Sequence, residues 1–179
     1  MISNILNLIT LSRILCAIAI YLFLYLEANY LVALVLFFIA SLSDFLDGYI
    51  ARKTNSESIL GEILDPIADK LLIVFVLIGL SINLNSFLIG FISSVIISRE
   101  IWVAALRDIN SRNNQSEKTK VTFLAKTKTA IQLLAILTYL FGLTINNMMV
   151  LFFGDIILII ALLITMQTGL QYTISTFRK

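Results

Sequence analysis

The sequence contains no histidine, one cysteine and one proline in 179 residues, and only 13% of those residues are charged. Without an imidazole there can be no Ser-His-Asp triad, no Cys-His pair and no histidine-ligated metal. Cys16 has no second cysteine with which to close an intramolecular bridge, and in its apolar stretch it reads as a small packing residue. The shortage of charge excludes more. Soluble domains are about 25% charged and about 45–50% apolar, whereas 59% of this chain is hydrophobic. That excludes a soluble globular domain, a disordered chain and a repeat array. With 13 basic and 11 acidic residues the net charge is +2, too small to draw nucleic acid. What remains is a polytopic membrane protein. Any general base in it is a carboxylate, a tyrosine or a lysine, and any metal is a hard, oxygen-seeking ion such as magnesium or manganese.

A bilayer core is crossed by about 20 apolar residues in helical form. Six stretches qualify: Ile5–Leu26, Tyr30–Ile50, Pro66–Leu84, Phe87–Leu106, Phe123–Ile145 and Met148–Tyr172. The first is too rich in aromatic and polar residues, and too poor in preceding positive charge, to be a cleaved signal peptide. No soluble domain fits in the remainder, so residues 1–179 are expected to form a single membrane domain, all-α with six transmembrane helices. The connections near 27–30, 82–87 and 144–148 hold no lysine or arginine, while Arg52, Lys53, Lys70, Arg107, Arg112, Lys118, Lys120, Lys126, Lys128, Arg178 and Lys179 gather on the opposite side. The positive-inside rule then places both termini and the two longer loops in the cytoplasm. The polar segment Asp108–Lys120 reads as a solvated loop.

The informative charges lie between the second and third stretches. Asp44 and Asp47, three residues apart, share a helix face, and so do Asp65 and Asp69, four apart. Pro66 suits a first helical turn, as if a helix entered the membrane there. An aspartate costs about 2.5–3.5 kcal/mol at mid-membrane and less near the interface. Four of them, discounted by half, cost on the order of 5 kcal/mol, as much as the net stability of a small domain. Two divalent cations offset that charge, and two metals about 3.5–4 Å apart form a clamp for displacement at phosphorus. Gly48, Gly61 and Ala51 leave small surfaces beside the carboxylates, where a ligand or another backbone can approach closely. Arg52 adds a permanent cation suited to an anionic phosphate.

Written as Asp44-x-x-Asp47-Gly48-x-x-Ala51-Arg52, eight residues, Gly61-x-x-x-Asp65-x-x-x-Asp69, this segment resembles the signature of the CDP-alcohol phosphatidyltransferases at every specified position. The resemblance implies a six-helix membrane fold, a homodimer, and transfer of a phosphatidyl group from CDP-diacylglycerol to an acceptor hydroxyl with release of CMP. It also implies that Asp44, Asp47, Asp65 and Asp69 hold two ions, Mg2+ or Mn2+, and that Asp69 is the catalytic base. Gly48, Ala51 and Gly61 would accommodate the cytidine nucleotide, and Arg52 would support it. Asn7-x-x-Thr10-x-x-Arg13 is similar to the N-terminal pattern of the phosphatidylglycerophosphate synthase branch, where it borders the pyrophosphate of the CDP-lipid. Leu64-Asp65-Pro66-Ile67-Ala68-Asp69-Lys70, Ser98-Arg99-Glu100 with Arg107, and Lys126-x-Lys128-Thr129-x-x-Gln132 resemble the same branch, although Ala125 stands where it usually carries glycine.

The basic residues bear on the acceptor. Arg99 lies within an apolar stretch, where an unpaired arginine is expensive. Glu100 adjoins it but leaves the helix in a different direction, so Arg99 is expected to face a polar cavity. With Arg107, Lys126, Lys128 and Arg178 it would form a cationic group at the cytoplasmic mouth, suited to a second phosphate. That favours sn-glycerol 3-phosphate over serine or inositol, with phosphatidylglycerol, the acceptor of a cardiolipin synthase, as the nearest alternative. A cation transporter would instead need polar residues at successive depths, but the outer halves of the helices are nearly all Leu, Ile, Val and Phe. The expected setting is a bacterial-type inner membrane with the active site facing the cytoplasm, and with no nucleic-acid partner.

Overall fold

The computed structural model describes residues 2–27, 29–54, 59–119 and 123–178; at 2–7, 27, 44–54, 59–60, 62–63, 116, 123 and 126 it describes the backbone alone. Every regular element among the described residues is helical. In chain order these are α1 (Ile2–Leu22), which continues as a π-helical turn at Phe23–Glu27, then α2 (Tyr30–Thr54), α3 (Ile59–Asn83) and α4 (Phe87–Arg112). A 3-10 turn at Ser116–Thr119 precedes α5 (Phe123–Thr144) and α6 (Met148–Phe177). Each apolar run of the sequence coincides with one helix. At the charged end, however, α2, α3, α4 and α6 run four to seven residues beyond the apolar stretch. Hydropathy reports the length matched to lipid, whereas backbone hydrogen bonds carry a helix on into polar sequence.

Two expectations are corrected by these longer helices. Pro66 is not in a first turn: α3 begins at Ile59 and holds Pro66 in its interior. There the missing N–H leaves the carbonyl of residue 62 without its usual helical donor. The segment Asp108–Lys120 is not loop throughout either, because α4 continues to Arg112. Its last turn is fastened by an exposed Arg112–Asp108 ion pair at 2.9 Å, one turn apart.

Asparagine ends three of the helices. Asn85, Asn114 and Asn146 have φ of 47°, 55° and 51°, the left-handed conformation usually given to glycine. At each end the following residue's N–H reaches back five residues: Ser86 to Ser81, Gln115 to Asn110 and Asn147 to Gly142, at 3.0, 2.7 and 2.9 Å. The next helix starts at once after two of these turns. The Ser86 hydroxyl accepts from Ile89 N, and the Asn147 side chain accepts from Met149 N and Val150 N.

In the bundle, α1 packs against α2 and α3, α6 packs against α5 and α4, and α2–α5 and α3–α4 contacts join the two groups. The centre is apolar, with Ile20, Phe37, Leu72, Val76, Leu80, Ile89, Ile136, Leu140 and Leu158 buried in one cluster. Large apolar side chains such as Leu15, Phe38, Phe91, Phe153 and Leu163 cover the outside, as a lipid-facing surface requires. At one end of the α5–α6 contact, Tyr139 Oη donates to Asp155 Oδ1 at 2.6 Å. Gly154 makes that contact possible, since a Cβ there would lie 3.0 Å from the Tyr139 ring. Among the described residues, four helical segments are long and apolar enough to cross a membrane: Leu8–Leu26, Phe87–Arg112, Thr127–Thr144 and Met148–Phe177. Tyr30–Ser43 in α2 is a shorter apolar run.

Candidate active site

Asp65 and Asp69 lie one turn apart on α3, and α1 fastens both. Thr10 Oγ1 donates to Asp65 Oδ1 at 2.7 Å, and Arg13 Nη1 donates to Asp69 Oδ1 at 2.9 Å. The matching i, i+3 spacing on α1 and i, i+4 spacing on α3 lets two polar pairs meet across one helix contact. Thr10 and Arg13 are each only 1% exposed, yet the Asp69 side chain retains 36% of its accessible surface. The Asp69 carboxylate is thus held from the protein side and open on the other. Its partner has little freedom to move.

The open side is a cavity of about 670 Å³ between α3, α4 and α5, whose wall includes Asp69, Lys70, Arg99, Glu100, Arg107, Lys128 and Gln132. Of the basic residues expected at an acceptor site, Arg99, Arg107 and Lys128 therefore surround the same space as Asp69. Arg178 is not in that wall; its carbonyl accepts from Lys118 Nζ at 3.3 Å.

Arg99 is buried and tied to α6. Nε donates to the Thr165 carbonyl at 3.1 Å and Nη2 to Thr168 Oγ1 at 2.7 Å. Two guanidinium groups lie over the Tyr172 ring, Arg99 at 5.8 Å and Arg107 at 5.5 Å from its centroid. Gly169 gives Arg99 its route, because a Cβ there would sit 3.1 Å from Arg99 Cγ and 3.2 Å from Nε. The third connection corrects the sequence expectation. Glu100 does not point away from Arg99: its Oε1 accepts from Arg99 Nη1 at 2.9 Å. Neighbours on a helix diverge at Cβ, but two long side chains can bend back to meet. The same Oε1 also accepts from Lys128 Nζ of α5. Gln132 Nε2 completes the link to α6 by donating to Thr165 Oγ1 at 3.1 Å.

Thr165, Thr168 and Tyr172 do not stand out in the sequence as site residues. Their i, i+3, i+7 spacing on an otherwise apolar helix places them on one face, and that periodicity is the signal that finds them. Gly61 is half-buried in the first turn of α3. The side chains of Asn7, Asp44, Asp47, Gly48, Ala51, Arg52 and Lys126 lie outside the described residues, as does the convergence of all four aspartates. Among the described side chains no three metal-ligating groups cluster. Asp65 and Asp69 nonetheless supply carboxylate oxygens from a single helix face, hard donors of the kind magnesium and manganese take.

Comparison with known proteins identifies the family. The chain is 38% identical over 172 residues to a CDP-diacylglycerol–glycerol-3-phosphate 3-phosphatidyltransferase of Rickettsia bellii, covering 94% of this chain and 93% of the relative. It is 35% identical to the protein of that name from Haemophilus influenzae, over 84% of this chain and 80% of the relative. The Escherichia coli protein of the same name is 29% identical, over 94% and 92%. Residues 3–167 match the CDP-alcohol phosphatidyltransferase model, and the chain belongs to that family.

Proposed function

We propose that this protein transfers the phosphatidyl group of CDP-diacylglycerol to sn-glycerol 3-phosphate, giving phosphatidylglycerophosphate and CMP. The relatives' shared name supports both substrates. The observation that carries the reading is the cavity: a carboxylate able to take a proton and cations able to hold a phosphate line one space.

In the reaction, the Asp69 carboxylate takes the proton of the acceptor hydroxyl as its oxygen bonds to the phosphatidyl phosphorus, and the bond from that phosphorus to CMP breaks. Arg13 fixes the orientation of Asp69, and Thr10 does the same for Asp65. Asp44, Asp47, Asp65 and Asp69 would hold two divalent cations, Mg2+ or Mn2+, whose charge would offset that on the phosphoryl oxygens. Asn7, Gly48, Ala51, Arg52 and Gly61 would accommodate the CDP headgroup. Lys126, Lys128, Arg107 and Arg99 provide the positive field for the acceptor's phosphate.

The same reading takes all six helices as membrane-spanning, with both termini and the active site at the cytoplasmic face of a bacterial-type inner membrane, and takes the protein as a homodimer. It is supported by the turns at Leu84–Ser86 and Ile145–Asn147, which carry no lysine or arginine.

Purified protein supplied with CDP-diacylglycerol and one acceptor at a time tests the assignment, with the lipid product identified by mass. Phosphatidylglycerophosphate is expected with glycerol 3-phosphate. Cardiolipin from phosphatidylglycerol, with no product from glycerol 3-phosphate, would overturn it.

A further inference from the structure

Glu100 is an anion on the basic side of the cavity, where it would face a phosphate. One carboxylate oxygen, Oε1, accepts from both Arg99 Nη1 and Lys128 Nζ. The two cations differ in freedom. Arg99 is fixed by the Thr165 carbonyl, the Thr168 hydroxyl and the Tyr172 ring. Lys128 reaches the cavity on a four-carbon stem, and such a point charge on a flexible chain depends on a partner for its position. An ammonium carries three N–H groups, so the one given to Glu100 leaves others to point into the cavity.

We infer that Glu100 is a positioning residue for the acceptor: anchored to α6 through Arg99, it aims the Lys128 ammonium at the acceptor phosphate. The inference rests on the proposed glycerol 3-phosphate reading. It gives a carboxylate inside an anion site a specific task, holding two like charges together while one remains able to bind.

The test is steady-state kinetics of Glu100→Gln, Lys128→Met and the double variant, with glycerol 3-phosphate and CDP-diacylglycerol varied separately. Glu100→Gln is expected to raise KM for glycerol 3-phosphate about tenfold, with kcat and KM for CDP-diacylglycerol within about threefold of wild type. In the Lys128→Met background it is expected to add nothing further, because its effect passes through Lys128. Glu100→Asp, which keeps the charge, is expected to recover most of the acceptor affinity, and Glu100→Ala, with the same rise in KM expected, serves in place of Glu100→Gln if the amide variant does not fold. A lowered KM for glycerol 3-phosphate would show that Glu100 competes with the phosphate and would overturn the inference. So would an unchanged KM, equal losses for both substrates, or additive effects in the double variant. If wild type transfers only to phosphatidylglycerol, the functional reading fails and takes this inference with it; if wild type uses glycerol 3-phosphate and Glu100→Gln matches it, the inference alone fails.

Discussion

Arg13 and Asp69 are 56 residues apart in sequence and 2.9 Å apart in space, an arginine withdrawn from solvent holding a carboxylate that is not. That asymmetry leads to the first prediction. Asp69→Asn keeps the shape and loses the proposed base, so turnover at saturating substrates is expected to fall by about 10²-fold or more. The protein is expected to fold: breaking a fully buried ion pair costs about 3–5 kcal/mol, and the amide oxygen that replaces the carboxylate can still accept from Arg13 Nη1, which keeps the cost below that range. Activity and thermal unfolding measured on one preparation check both parts, and near-normal turnover would remove Asp69 from the role of base.

Chelation gives the second. EDTA is expected to abolish CMP release, and magnesium or manganese to restore it after the chelator is removed. Asp65→Asn is expected to raise the concentration of metal needed for half-maximal activity. Full activity in metal-free buffer would show that the carboxylates work without a bound cation.

The third prediction concerns Gly169. A methyl group there meets Arg99 Cγ at 3.1 Å while both ends of that side chain are held. Gly169→Ala should therefore displace the guanidinium and cost about 1.5–3 kcal/mol, the scale of one hydrogen bond to a charged group. It should also raise KM for the acceptor severalfold while leaving KM for CDP-diacylglycerol unchanged. Equal changes in the two KM values would argue for general loosening of the α4–α6 contact instead.

The fourth separates stability from chemistry. Tyr139 and Asp155 join α5 to α6 about 15 Å along α6 from Thr165, taking 1.5 Å per residue. Tyr139→Phe removes the donor, and interhelical hydrogen bonds in membranes contribute about 0.6 kcal/mol on average. The variant should unfold at a slightly lower temperature with kcat and both KM values as in wild type. A loss of turnover larger than the loss of stability would give this pair a part in the reaction.

The helices were legible in the sequence because each apolar run is long and unbroken, but their charged ends were not. Pro66 looked like a beginning because hydropathy rises there, while the backbone had already been helical since Ile59. In the site, the spacing of Asp65 and Asp69 was readable, and so was the presence of Arg99 in an apolar stretch. What those groups hold on to was not. Thr10 and Arg13 meet α3 over a separation of 55 and 56 residues, and Arg99 meets α6 over 66 and 69. The Glu100 expectation failed for a local reason: helix geometry fixes where Cβ points, not where the tip of a long side chain ends.

The Arg13–Asp69 link also constrains how the molecule can be assembled. During synthesis Arg13 emerges long before the acid it will pair with, and an unpaired charge within an apolar helix is costly in lipid. The first helix is therefore fully settled only once the third has arrived. The two are best regarded as one unit delivered in separate instalments, in which the charge of Arg13 is matched only when both are in place.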